Sequence, residues 1–306
     1  MAETVVAVVV TYNRLEKLIR CLDSLLNQTF SCSILVIDNA STDGTGQYLS
    51  DHYSGRIDYY NTGANIGGAG GFNIGMRRAV EEGFSYVWIM DDDCIPDTRA
   101  LEKLMEANCL LGGPEHFGFI SSAVLWTDGH ECIMNRQKLT NDYYRYVELL
   151  QHGIVSIKQA TFVSLLFPAK TIRQFGLPYK EYFIWGDDIE YTRRIAVLGS
   201  VPCFLAGQSR IVHAMEKNIG SDISIDDITR LSRYTLAVRN EYFTYHKQGF
   251  YGICLYYFRC FRAALRICLK SEDHKLLRMK ALVSGMLSGP FFRPKVEYPL
   301  NETSSI

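Results

Sequence analysis

Residues 4–14, "TVVAVVVTYNR", form a β-branched run with no polar position inside it, closed by a polar segment. A run of this kind predicts a strand buried on both faces, as in a parallel sheet. The period then changes. In "LEKLIRCLDSLLNQ", Leu15, Leu18, Ile19, Leu22, Leu25 and Leu26 recur at helical spacing and predict one apolar helix face. "CSILVIDNAS" repeats the strand pattern, and "STDGTGQYLSDHY" predicts a helix with Ser41 and Thr42 as candidate caps. "IDYYN" reads as a short strand. "NIGGAGGFNIGMRRAVEEG" has helical spacing in its second half, "YVWIM" is a strand, and a helix is expected over about 98–110.

Further strands are expected in "FGFISSAVLW", "ATFVSLLFP" and "VPCFLAGQSRIVH", with a helix in "DDIEYTRRIAVLG". From about residue 225 the pattern is almost wholly helical. The regular alternation implies an α/β fold with a mostly parallel sheet and helices on both faces. We expect a body over 1–224 and a C-terminal helical region over 225–306 that packs on it.

Ligands of parallel sheets bind at the carboxyl ends of the strands. Four polar clusters fall at such ends: "TYNR" (11–14), "DNAS" (38–41), "DDD" (91–93) and the segment ending at His213. One acidic turn alone is usually solvated surface; four clusters at strand ends imply a shared ligand. Asp91 and Asp93 at i and i+2 can clamp a hard divalent cation, with His213 as a third ligand that favours Mn²⁺ over Mg²⁺. "NIGGAGGFNIG" is neither a Walker A loop nor a dinucleotide fingerprint, and its small residues permit close approach to a ligand or to the sheet. In "YFIWGDDIEYTRR", Asp187 and Asp188 open a helix behind aromatic surface that raises a carboxylate pKa, which makes the pair a source for a general base. Arg193 and Arg194, one turn later, are placed to neutralise whichever aspartate does not react.

Composition adds limits. Net charge is −1, so nothing global points to nucleic acid. Residues 249–306 nevertheless carry nine Lys/Arg against four Asp/Glu, a balance of +5. The nine cysteines show no CxxC pair or zinc spacing, and the expectation is reduced thiols in the cytoplasm. Within "GFYGICLYYFRCFRAALRICLK", Arg259, Arg262 and Arg266 oppose a membrane crossing and suit a helix lying on an anionic surface. Docking on the catalytic body is the plainer alternative.

The set "TYNR…DNAS…NIGGAGGF…DDD…WGDDIEY…H" resembles the family-2 glycosyltransferases of the GT-A (Rossmann-like) fold, over about 4–248. Among them it is most similar to bacterial galactofuranosyltransferases, with rhamnosyltransferases next. The resemblance implies inverting transfer from a nucleotide-diphosphate sugar, UDP-galactofuranose first and dTDP-rhamnose as the alternative. It implies Mn²⁺ or Mg²⁺ held by Asp91, Asp93 and His213, donor contacts from Thr11, Asn13, Arg14, Asp38, Asn65 and Asp92, and Asp188 as catalytic base. A glycan or polyprenyl-linked glycan acceptor at the inner face of the cytoplasmic membrane, in cell-surface polysaccharide synthesis, would follow. "RYTLAVRNEY" (233–242) resembles an arginine-containing helix that recurs after the catalytic domain. Two other readings compete. A metal phosphohydrolase is disfavoured because Ile95 stands where its signature needs a hydroxyl. A scaffold without turnover is disfavoured by the intact acidic set.

Overall fold

The β-branched run at the start behaves as its pattern requires. In the computed structural model, which describes residues 3–300, Val5, Ala7 and Val9 face one layer of the core, and Val6, Val8 and Val10 face the other. The elements in chain order are β1 (Val5–Thr11), α1 (Leu15–Leu26), β2 (Ser33–Asp38), α2 (Thr45–Tyr53), β3 (Asp58–Asn61), α3 (Gly67–Glu81), β4 (Tyr86–Asp91), β5 (Cys94–Pro96) and α4 (Ala100–Leu110). They continue with β6 (Ile120–Leu125), β7 (Lys138–Leu139), α5 (Val147–Leu150), β8 (Ile154–Gln159), β9 (Leu165–Pro168), α6 (Ala169–Phe175), α7 (Asp187–Arg193) and β10 (Phe204–His213). Three helices close the chain: α8 (Leu231–His246), α9 (Gly249–Lys270) and α10 (Lys275–Ser288).

The sheet runs β3-β2-β1-β4-β9-β6-β10-β8-β7, with β5 paired to β10. Neighbours from β3 to β4 are parallel, as are β6 and β10, whereas β9, β8, β7 and β5 pair antiparallel. The sheet is therefore mixed and mostly parallel. Helices α1 and α4 cover one face, and α3 and α6 cover the other. Strands β5 and β7, three and two residues long, carried no sequence signal because they exist through their partners, and the six-residue β8 was not anticipated either.

Two local expectations need correction. Helix α2 begins at Thr45 behind Gly44, and neither Ser41 nor Thr42 caps it. Ser41 Oγ instead accepts the Asn13 N–H, and the Thr42 N–H donates to Asn13 Oδ1. The glycine segment is not a loop followed by a helix, since α3 starts at Gly67 itself. A Cβ on Gly71 would collide with Val10, and one on Gly75 with Val8. These glycines let α3 lie close on the sheet, which decides between sheet and ligand in favour of the sheet.

Helices α8, α9 and α10 build a core of their own around Tyr234, Tyr256, Cys260, Ile267 and Leu282, and Trp185 of the body packs against it. Among the described residues, no helix is long and apolar enough to cross a membrane.

Candidate active site

Strand register brings the first three polar clusters to one edge. Thr11 pairs with Asp38 across β1 and β2, and Val10 pairs with Asp91 across β1 and β4. The fourth arrives by a different route. Antiparallel pairing of β10 with β5 sets His213 opposite Cys94, next to the acidic triplet.

The three aspartates part company there. Asp93 Oδ1 lies 3.0 Å from His213 Nε2, and its Oδ2 takes Arg14 Nη1 at 3.2 Å and Lys17 Nζ at 3.1 Å. Desolvation would raise the Asp93 pKa, but His213, Arg14 and Lys17 outweigh it and hold the carboxyl below the usual carboxylate range. Burial would lower the His213 pKa, and the bond to Asp93 overrides this to bring it up to about 9. Asp92 accepts from Thr11 Oγ1 at 2.8 Å and from Arg14 Nη1 at 3.1 Å. Desolvation still leaves Asp92 above its ordinary value, against Arg14. For Asp91, desolvation and the neighbouring Asp93 raise the pKa to about 7.

The ligand atoms of Asp93, Cys94 and His213 lie within 4.8 Å of one another, and that group does not include Asp91. Desolvation and the nearby aspartates push the Cys94 thiol well above its usual pKa, so it is a poor partner for a hard cation. An aspartate carboxylate beside an imidazole is a donor pair that Mn²⁺ or Mg²⁺ can use, and to bind there the ion would displace Arg14 and Lys17 from Asp93 and take the place of the proton on His213.

The remaining donor-side residues form a turn network. Asp38, fully buried, accepts from the Ser41 N–H at 2.8 Å and from Tyr59 Oη at 2.7 Å. Asn13 sits in the left-handed region at φ 53° and is tied to Ser41 and Thr42. Exposed Asn65 accepts the Gly67 N–H at 2.9 Å.

The second acidic pair has another character. Gly186, at φ 92°, turns the chain into α7, so Asp187 and Asp188 occupy its first turn. Desolvation raises Asp188 to about 6. Asp187 is buried, and desolvation together with Asp188 pushes it well above the ordinary range. Arg193 and Arg194 do not neutralise this pair. Arg194 forms a two-nitrogen ion pair with Glu190 and donates to the carbonyls of Phe175 and Leu177, while Arg193 reaches Gln159. Both arginines sit a full turn or more beyond the pair, and the buried Glu190 is the nearer partner for Arg194.

Two residues at the site were missed in the sequence. Lys17 follows Arg14 by three residues on the first turn of α1, a spacing that could have revealed it. Asn135, whose Oδ1 lies 2.8 Å from His213 Nδ1, comes from a segment without periodicity and had no such signal.

A family model described as "Glycosyl transferase family 2" matches residues 6–109. The galactofuranosyltransferase GlfT1 of Mycobacterium tuberculosis (strain ATCC 25618 / H37Rv) is 31% identical over 214 residues, which cover 64% of this chain and 65% of that protein. GlfT1 of Mycolicibacterium smegmatis is 29% identical over 211 residues, covering 64% of this chain and 67% of that protein. The chain thus spans about two thirds of the length of these relatives. A crystal structure of GalNAc-T7 with UDP, GalNAc and Mn²⁺ superposes with a TM-score of 0.61 at 15% identity, over 94% of this chain and 56% of that one. That likeness is one of fold, and the fold is GT-A.

Proposed function

We propose that this chain, which carries a family-2 glycosyltransferase domain on a GT-A fold, transfers a sugar from a nucleotide-diphosphate donor with inversion. The donor we infer is UDP-galactofuranose, from the similarity to GlfT1, with dTDP-rhamnose as the second reading. The observation that carries the proposal is the division of labour between two carboxylate sites. At the strand ends the Asp93 carboxylate is paired with Arg14, Lys17 and His213, whereas Asp188 at the start of α7 has no cation partner among the described residues and is raised to about 6 by desolvation.

In this reading Thr11, Asn13, Arg14, Asp38, Asn65 and Asp92 hold the nucleotide and its phosphates, and Asp91, Asp93 and His213 hold a divalent cation. That ion would supply Lewis-acid stabilisation of the departing diphosphate. Arg14 and Lys17 bring positive charge to the same place. Asp188 accepts the proton of the acceptor hydroxyl as it attacks the anomeric carbon from the face opposite the leaving group. The C–O bond to the acceptor forms as the bond to the diphosphate breaks, so one displacement inverts the centre. A base near pKa 6 is largely ionised at neutral pH and still basic enough to take up a proton there.

The acceptor we infer is a polyprenyl-linked glycan, met at an anionic membrane surface in cell-surface polysaccharide synthesis. Support comes from the outer side of the C-terminal helices. Phe250, Tyr251, Phe258, Phe261 and Leu269 on α9 and Leu276 on α10 are all more than half exposed. Neither helix contains an acidic residue, while together they carry Arg259, Arg262, Arg266, Lys270, Lys275, Arg278 and Lys280. Part of that charge is already committed, since Arg259 pairs with Glu241, Arg266 with Asp222, and Arg278 is buried and paired with Asp273. A helix with apolar rings outward and basic residues beside them binds an anionic interface by burying the rings and neutralising lipid charge.

Calorimetry with UDP, with and without Mn²⁺, tests the donor site, and a hydrolysis screen across nucleotide sugars tests the sugar. Metal-dependent UDP binding with turnover of UDP-galactofuranose is the expected result. Metal-independent binding would remove the cation, no binding of UDP would move the donor to dTDP-rhamnose, and no binding of either UDP or dTDP would remove the transferase reading. Co-sedimentation of the full chain with anionic and neutral vesicles tests the membrane, and equal binding to both would remove the anionic surface.

A further inference from the structure

The turn that delivers Asp187 and Asp188 is strained. Of the four residues before the pair, Phe183 (φ 63°), Trp185 (φ 62°) and Gly186 (φ 92°) lie in the left-handed region. Bulky residues rarely adopt that backbone and persist in it only where the surroundings over-determine it. Something must hold this turn, and local sequence does not.

The holding group comes from a distant element. Asn240, in the middle of α8, is fully buried. Its Nδ2 lies 3.0 Å from the Tyr182 carbonyl, 3.3 Å from that of Ile184 and 2.9 Å from that of Trp185. Its Oδ1 accepts from Arg239 Nε at 3.1 Å and Nη2 at 2.9 Å, which fixes which end of the amide faces the turn. Arg239 Nη2 also donates to the Glu181 carbonyl at 2.8 Å. One turn further along α8, Thr244 Oγ1 lies 2.9 Å from Tyr182 Oη. On the opposite side the Ala69 N–H donates to the Phe183 carbonyl at 3.2 Å, and a Cβ on Gly67 would collide with that carbonyl. Trp185 stacks edge-on against Tyr234 of α8, with centroids 4.9 Å apart.

We infer that Asn240 is a positioning residue for the sugar-transfer reaction: its amide clamps the strained 182–186 turn so that Asp188 is presented to the acceptor hydroxyl. The inference rests on the transferase reading above. It gives the C-terminal helical region a part in the chemistry, through the turn it holds. An asparagine suits the position because one amide can donate to several convergent carbonyls while its own oxygen is satisfied by Arg239. Aspartate at the same place has no N–H to give and would turn a carboxylate toward carbonyl oxygens.

The test compares Asn240→Asp and Asn240→Ala with the milder Thr244→Val, in the full chain. Thr235→Val is a control on the same helix, because the Thr235 hydroxyl donates to the carbonyls of Leu231 and Ala281, neither of them in the turn. Three quantities are read: the transfer rate at saturating donor and acceptor, UDP affinity with Mn²⁺, and hydrogen exchange of residues 183–189. Asn240→Asp and Asn240→Ala should lower kcat by about 10- to 100-fold, the scale of a small misplacement of a reacting group. Donor KM and UDP affinity should stay within twofold, and exchange in 183–189 should rise. Thr244→Val should move kcat and exchange the same way by less, and Thr235→Val should leave kcat alone.

A wild-type kcat in both Asn240 variants overturns the inference. So does a parallel loss of kcat, UDP affinity and melting temperature that Thr235→Val reproduces, since that describes general support of the helix. If the wild-type chain binds UDP and transfers nothing, the transferase reading fails and the positioning role falls with it. If transfer is intact in the wild type and exchange in 183–189 does not respond to Asn240, the clamp alone is wrong.

Discussion

The two acidic sites lie on one protein and face opposite electrostatic problems. Asp93 is surrounded by His213, Arg14 and Lys17, and Asp92 by Arg14 and Thr11. Asp187 and Asp188 are desolvated without a cation, because Arg194 is taken by Glu190 and the loop carbonyls. Like residues thus take unlike states through their surroundings: Asp93, with three cationic neighbours, is held low, while desolvation raises Asp188 and also Asp91 and Asp92 of the first cluster. Proximity in sequence to arginines was a poor guide to which site is compensated.

The sharpest way to break this contrast is to remove the charge at the strand ends. Asp93→Ala should abolish transfer and metal-dependent UDP binding, and it leaves His213, Arg14 and Lys17 facing one another. The same loss is expected when a chelator strips metal from the wild type, with recovery on adding Mn²⁺. Normal turnover of the variant in metal-free buffer would merge the two sites into one unspecialised cluster.

Asp188→Asn addresses the other side. It keeps the shape and cannot accept a proton, so transfer should fall by about 10²–10⁴-fold with UDP affinity retained. Asp187→Asn should lose less. Retained rate in Asp188→Asn with a collapsed rate in Asp187→Asn would move the base by one residue.

A smaller effect is expected in the pH profile of kcat. With Asp188 raised to about 6, the wild-type rate should climb with pH on the acid side and level off above about 6. A limb near the ordinary aspartate value would mean that desolvation of the pair is relieved in the working enzyme.

The smallest effect concerns stability. A carboxyl whose folded pKa exceeds its unfolded value binds protons more tightly in the native state, so its stabilising protonation is complete at low pH and lost as pH rises toward 6 and beyond. Asp188→Asn has nothing to lose over that range. Its melting temperature should therefore gain on the wild type between pH 4 and pH 8. An unchanged difference across that range would show that Asp188 titrates alike in both states.

Much of the body was legible because periodicity is a local signal. The β-branched runs at Val5–Thr11 and Ser33–Asp38 and the carboxyl-end clusters after them could be placed without any partner. The parts that escaped depend on residues far apart. Strand β5 is three residues long and exists through β10, and the buried Asn135 meets His213 from 78 positions away. In α1 the expected apolar face was rotated by a residue type: Cys21 is fully buried there, while Ile19 is only half-buried.

From the sequence alone came the alternation of strands and helices, the acidic triplet at a strand end, the second acidic pair at a helix start and the helical end of the chain. Those are consequences of side-chain size, branching and period, which act between near neighbours. The tertiary structure decided that the glycines of α3 serve the sheet, that Arg194 belongs to Glu190, and that Asn240 of α8 holds the turn before Asp187. Each of those outcomes is a choice among partners distant in the chain or competing with nearer ones. Such a choice is set by which groups are buried together and must satisfy one another there, and no local pattern of residues records it.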